Sequence, residues 1–161
     1  MVELREISED NFVECIKLDL TKEQWRYVAS NAYSLSEAYA LKNDGKYTPI
    51  PYAIYNGDEM VGFIMAVYQP IDEDDLEDDK NVFYLSRMMI DKRFQGNGYG
   101  KEAMIKMIEI MKTFQNGSAE AVVLSCSKEN VVAYELYKSL GFVDTGECDE
   151  DGDSYFRLDL K

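Results

Sequence analysis

Arg93-Phe94-Gln95-Gly96-Asn97-Gly98-Tyr99-Gly100-Lys101 is the stretch on which the reading of this chain turns. Its glycines let the backbone pass close to a ligand, and its flanks say what kind. Before it, Val82 to Ile90 is apolar on both faces, the pattern of a strand central to a sheet. After it, Ala103, Met104, Met107, Ile108 and Met111 recur at helical spacing, with Lys101, Glu102, Lys106, Glu109 and Lys112 on the wet face. A strand, a glycine bend and a helix start together present free N–H groups to an anion, and a pyrophosphate is the natural guest. A helix-opening turn with incidental glycines is the plainer alternative. Two better-known phosphate loops do not fit. Three residues rather than four separate Gly96 from Gly100, and Glu102 stands where a P-loop has Ser or Thr. The spacing Gly96-x-Gly98-x-Gly100 also departs from the dinucleotide pattern Gly-x-Gly-x-x-Gly.

Outward from the loop, Val2 to Ile7 alternates as a short strand. Ser8-Glu9-Asp10-Asn11 opens a helix carrying Phe12, Cys15, Ile16 and Leu20, and Thr21 to Tyr33 is aromatic-rich and ambiguous. Ser34-Leu35-Ser36-Glu37 fits a capping box and predicts a second helix ending near Asn43-Asp44-Gly45. Pro51 to Tyr55 and Met60 to Tyr68 read as strands joined at Asn56-Gly57, a strong hairpin signal. Asp72 to Asp79, acidic except for Leu76, reads as a solvated loop. Ala121 to Cys126 is another buried strand, and Ala133, Leu136, Tyr137 and Leu140 mark a helix stopped at Gly141. Phe142 to Glu147 and Ser154 to Leu160 form a hairpin around Asp151-Gly152. The order β-α-α-β-β-β-α-β-α-β-β predicts one α+β domain over residues 1–161. Asp149-x-Asp151-x-Asp153 has the opening of a calcium loop, but Ser154 stands where that loop requires Gly and Leu160 where it requires Glu, so no metal is expected.

The 161 residues are 46% hydrophobic, enough for a packed core. With 17 Lys and Arg against 31 Asp and Glu, the net charge is −14. That balance excludes nucleic acid and anionic membranes as partners and draws in small cations. There is no histidine, which removes Ser-His-Asp hydrolysis, Cys-His nucleophiles and His-ligated zinc together. Cys15, Cys126 and Cys148 are too widely spaced for a thiolate metal site or a disulfide framework. The chain lacks a signal-peptide layout and any apolar run near the roughly 20 residues of a membrane span, so a cytoplasmic location is expected. Subunit number is open, with a homodimer allowed.

A second pattern, Asn130-x-x-Ala133-x-x-Leu136-Tyr137-x-x-x-Gly141-Phe142, lies in its own strand–helix setting. Together with Gln95, Gly98 and Gly100, which fill the pattern Arg/Gln-x-x-Gly-x-Gly/Ala, it makes the chain resemble the GNAT superfamily of acetyl-CoA-dependent N-acetyltransferases. The motifs cover residues 82–142, and element order extends the likeness to the remainder. The resemblance implies a splayed, mostly antiparallel sheet of about six to seven strands flanked by four helices. It implies acetyl-CoA as acyl donor, its pantetheine arm lying along Met88, Met89 and Ile90. Gln95, Gly96, Asn97, Gly98, Tyr99, Gly100 and Lys101 would hold the pyrophosphate, with Asn130 and Ala133 lining the cofactor nearer its sulfur. Tyr137 would protonate the departing thiolate. A phenol at about 10 and a thiol at about 8.5 make that transfer only mildly uphill. A core aromatic is the competing role for Tyr137, and helix capping the competing role for Asn130.

The acceptor side is less determined. Some polyamine acetyltransferases place a Glu on the strand before the loop, where this chain has Ser86. Deprotonation is then expected through water held by Ser86 and Tyr84, or by an acidic residue elsewhere. Cys126 as an acetyl-carrying nucleophile is disfavoured, since no neighbour lowers its pKa. Trp25, Tyr27, Tyr33, Tyr39, Tyr47 and Tyr52 crowd the first third and suit a slot for methylenes and ammonium groups, unless they serve packing alone. Residues 23–31 and 34–39 also resemble bacterial spermine/spermidine acetyltransferases. The expected acceptor is therefore a cationic polyamine bound by Glu23, Trp25, Tyr27, Tyr33 and Glu37. Another amine (diamine, aminoglycoside or protein N-terminus) or a non-catalytic polyamine- or CoA-binding sensor are the alternatives.

Overall fold

A computed structural model describes residues 1–71, 80–114 and 117–160. The elements run β1 (Val2–Glu6), α1 (Phe12–Lys17), a single 3₁₀ turn (Gln24–Arg26), α2 (Asn31–Asp44), β2 (Thr48–Asn56), β3 (Glu59–Gln69), β4 (Val82–Ile90), α3 (Tyr99–Lys112), β5 (Ala121–Cys126), α4 (Val131–Ser139), β6 (Val143–Cys148) and β7 (Ser154–Asp159). The strands form one sheet in the order β1-β2-β3-β4-β5-β7-β6. Every pairing is antiparallel except β4 with β5. This is the mixed α+β architecture expected from the element order.

β3 explains why the sheet has two cores. Met60 to Tyr68 is buried along its length, so successive side chains feed opposite faces. One face gathers Ile54, Ile64, Phe83, Met104, Met107 and Phe156, and the other Cys15, Ala53, Phe63, Met65 and Met89. Phe63, Phe83 and Phe156 are fully buried. Burying each side chain of that class contributes roughly 1.5–3 kcal/mol, so the centre of the sheet is the rigid part on which a site can be mounted. Gly62 keeps β3 and β4 together, because a Cβ there would run into the main-chain oxygen of Met89.

Three local features differ from the sequence reading. The second helix begins at Asn31, capped by the Ser30 hydroxyl, which accepts from the Tyr33 amide at 3.1 Å. Ser34 instead lies inside the helix, donating to the Ser30 carbonyl and accepting from Arg87. A serine one turn too late was read as the cap because Glu37 completed its motif, whereas Ser30 has Tyr33 in that position. The first helix is short, ending at Lys17, and Leu20 lies beyond it. The tight turn is Gly57-Asp58, with Asn56 paired to Glu59 and Gly57 at φ 63°, which fits a two-residue turn with glycine first. The acidic run Asp72–Asp79 lies outside the described residues.

Candidate active site

The sheet opens where β4 and β5 part. They pair in parallel only at Val82–Ala121, Phe83–Val122 and Tyr84–Val123. On its other edge β4 stays paired with β3 as far as Ile90–Gly62. From Leu85 to Ile90, β4 therefore has one edge with no strand against it. At the point of parting the β3–β4 register jumps, with Met65 opposite Arg87 and Ala66 opposite Leu85, leaving Ser86 as the extra residue of a bulge. The bulge changes which side chains face α3 and α4. Phe83 and Leu85 lie in that core before it, and Met88 and Ile90 pack against the same core after it. The Ser86 hydroxyl is tied to the Met65 carbonyl at 3.2 Å.

Two cavities adjoin along this opening. One, about 420 Å³, is lined by Met88, Met89, Ile90, Gln95, Gly96 and Val132, among others. The second, about 480 Å³, is lined by Tyr84, Ser86, Arg87, Ser125, Tyr137 and Asp153, among others. Tyr27, Val28, Met88, Glu129, Asn130 and Ala133 line both.

The first cavity ends at the glycine loop. Gly96 and Gly98 have φ of 83° and 80°, a region that other residues enter at a cost, and Gly98 caps α3. Glu102 N–H is the first amide to reach an intrahelical acceptor, the Gly98 carbonyl at 3.2 Å. Within the described residues the amides of Gly98 to Lys101 precede that ladder and remain available to an anion. Gly100 sits against β4, where a Cβ would come 3.3 Å from Met88 Cε. Gln95 braces the bend from its side chain, donating to the Ile90 carbonyl at 2.9 Å and exchanging a hydrogen bond with Gln24. The Asn97 amide closes the turn onto the Phe94 carbonyl at 2.9 Å.

Asp91, which the sequence reading passed over, pins the start of this loop. Its buried carboxylate accepts from the Asp19 amide at 2.8 Å and from the Arg93 amide and Nε at 2.9 Å each. Burial alone would raise its pKa, but the Arg93 guanidinium and the two amides hold it below the usual carboxylate range. One buried charge thus fixes the strap before the 3₁₀ turn to the loop after β4.

In the second cavity Tyr137 is 8% exposed, and its ring lies edge-on to Phe142 at 5.8 Å. Burial, then the neighbouring Cys126, pushes its phenol well above the ordinary value, so it stays protonated at neutral pH. Its hydroxyl has no hydrogen-bond partner among the described residues, and the residue lines the cavity. Asn130 caps the start of α4 by position, but its side chain makes no capping bond and is available to both cavities. Tyr84 and Ser125 face each other across the parting strands, their hydroxyl oxygens 3.0 Å apart. Burial, followed by the Asp153 charge, pushes the Cys126 thiol up to about 11, which leaves almost no thiolate at neutral pH.

The expected acceptor residues scatter. Tyr27 lines both cavities. The Trp25 indole instead donates to Asp19 at 2.9 Å and packs against the core on the α1–α2 face. Glu23 precedes the 3₁₀ turn, and Tyr33 is 59% exposed with Arg87 5.8 Å from its ring centroid; neither lines either cavity. Glu37 lies 3.6 Å from Arg87, which lines the second cavity, and lines neither cavity itself. Met89 turns its side chain to the opposite core, so only its backbone serves the opening. The sequence reading missed Asp153. Its trace in the sequence is the Asp149-Asp151-Asp153 spacing, whose likeness to a calcium loop points to a different chemistry.

The parted strand pair, the glycine loop with open amides and the buried tyrosine thus lie along one cleft. Residues 3–142 match the model of the Acetyltransferase (GNAT) family, and the chain belongs to that family. It is 30% identical, over 99% of each chain, to a spermine/spermidine N(1)-acetyltransferase of Bacillus subtilis (strain 168). Its fold matches that of a spermidine N-acetyltransferase from Vibrio cholerae in complex with CoA and spermine, with TM-score 0.69, 16% identity, and coverage of 99% of this chain and 95% of that one. It also matches an aminoglycoside acetyltransferase in complex with coenzyme A, with TM-score 0.74, 16% identity, and coverage of 99% and 95%. The protein is accordingly an N-acetyltransferase that uses acetyl-CoA, and the unpaired β4 edge and the loop amides fit that cofactor's arm and diphosphate. No helix among the described residues is long and apolar enough to cross a membrane.

Proposed function

We propose that this chain, as one domain over residues 1–161, transfers an acetyl group to a primary amine of spermidine or spermine by direct attack within a ternary complex. The observation that carries the acceptor is the identity with the Bacillus subtilis spermine/spermidine enzyme along nearly the whole length of both chains. The net charge of −14 agrees, since it concentrates polycations at the surface. Acetyl-CoA, when bound, supplies the thioester. The amides of Gly98 to Lys101 would hold its diphosphate, and the free edge of β4 from Met88 to Ile90 would align the arm. Asn130 and Ala133 confine it on the α4 side. Tyr137 would supply the proton that the sulfur needs on leaving, as the amine takes over the acetyl group. Burial keeps the phenol protonated until the thiolate forms, and the same dry surroundings that raise the phenol would raise the basicity of a thiolate beside it, so the transfer stays uphill without becoming prohibitive. Ser86 and the Tyr84–Ser125 pair order water along the acceptor wall, a route by which the attacking amine sheds its proton.

An acceptor panel tests the reading. With acetyl-CoA in excess, kcat/KM for spermidine and spermine should exceed that for an aminoglycoside and for a peptide N-terminus by at least about tenfold. A reversed ranking would replace the acceptor.

A further inference from the structure

The second cavity holds five charged side chains, and they are not equivalent. Arg26 reaches Glu129 at 3.3 Å, joining the 3₁₀ turn to the loop before α4. Arg87 is turned toward α2, with Nε on the Ser34 hydroxyl at 3.0 Å and Nη2 3.6 Å from Glu37. Asp151 and Asp153 remain, and among the described residues no cation pairs with either carboxylate. Asp153 directly precedes β7, whose Ser154 pairs with Cys126 at the end of β5. Its amide is fixed by the Asp149 carboxylate at 2.9 Å, so the hairpin turn positions it against the site. Tyr137 is buried as a residue, while its hydroxyl, without a partner among the described residues, opens into the same space. One cavity therefore carries an idle proton donor and an idle pair of anions.

A carboxylate cannot be a full proton sink for an alkylammonium ion. Their ordinary pKa values, about 3.9 and about 10.4, differ by a factor of about 10⁶ in proton affinity. A nearby anion instead favours the charged form of an amine, which suits a nitrogen that does not react.

We propose that Asp153, with Asp151 beside it, seats a second ammonium group of the acceptor, one that stays charged while another nitrogen of the same molecule is acetylated. This rests on the polyamine reading and adds the selection rule: amines with two separated charges are preferred over monoamines. Asp153 is a specificity-determining residue here, not a base.

The test compares spermidine with a monoamine of similar length, using wild type and Asp153→Asn. The variant should raise the spermidine KM at least about tenfold, with kcat within about threefold and the acetyl-CoA KM unchanged. The monoamine KM should be the same in both proteins. A merely structural role would move both acceptors together, and that result, or an unchanged spermidine KM, overturns the proposal. Calorimetry of spermidine binding separates the two claims. Tighter binding to wild type without turnover would sink the polyamine reaction and keep the ammonium seat. Turnover with no difference in binding would do the reverse, and no binding to wild type removes both. Should Asp153→Asn fail to fold, Asp151→Asn carries the same comparison with a smaller expected shift.

Discussion

The two ends of the cleft are built on different principles. The cofactor end is made of backbone: consecutive residues 95–101, glycines at positive φ and amides ahead of a helix ladder. The other end, where we propose the acceptor binds, is made of side chains brought from β4, β5, α4 and the β6–β7 turn. A backbone site is contiguous in sequence and tolerates change wherever a glycine is kept. A side-chain wall depends on chain topology and can be altered one residue at a time. Binding of the acyl donor and choice of amine should therefore respond to separate sets of substitutions.

The junction is where the largest effect is expected. Tyr137→Phe removes the proposed proton donor without emptying its pocket, so kcat should fall by between ~10 and ~10⁴-fold while the acetyl-CoA KM changes little. Steady-state rates would show this, and unchanged turnover would take the hydroxyl out of the reaction. At the cofactor end, Gly98→Val forces a branched residue to a φ of 80°. With the unliganded loop relaxing out of that bend, restoring it at a cost of about 1–2 kcal/mol should lower acetyl-CoA affinity roughly 5- to 30-fold. The acceptor KM should be unaffected, and if it moved equally the separation of the two ends would fail.

Asp91→Ala tests the pin beneath the loop. Losing a buried carboxylate that accepts four hydrogen bonds should cost roughly 2–3 kcal/mol, read as a lower Tm. The pH sign follows from its depressed pKa. Its contribution is complete above the ordinary carboxylate value of about 3.9 and is lost as pH falls through the lower folded value. The Tm gap between wild type and variant should therefore close on acidification. Smaller still is the effect of salt. The spermidine KM should rise roughly threefold between about 0.05 and about 0.5 M salt as screening shortens the reach of the acidic surface, while the acetyl-CoA-binding contacts from main-chain amides respond less.

How much of this was legible in the sequence follows the same division. The loop, the helix it opens and the Asn130–Phe142 pattern are local, and their spacing alone placed them correctly on strand and helix. The bulge at Ser86 left no trace in composition, yet it redirects Met88 and Ile90. Trp25 was assigned to the acceptor because aromatics cluster near it, and sequence cannot show that its indole is spent on Asp19. Asp153 and Tyr137 meet in one cavity only because β7 inserts between β5 and β6, a pairing that neighbouring positions do not encode.

The central claim is that donor and acceptor meet in one cleft and that the acetyl group passes directly between them. Initial rates measured over a grid of acetyl-CoA and spermidine concentrations test it most directly. The account predicts intersecting double-reciprocal lines with N-acetylated spermidine as product, unaltered in pattern by Cys126→Ala. Parallel lines that vanish with that substitution, or no acetylated amine at all, would contradict it.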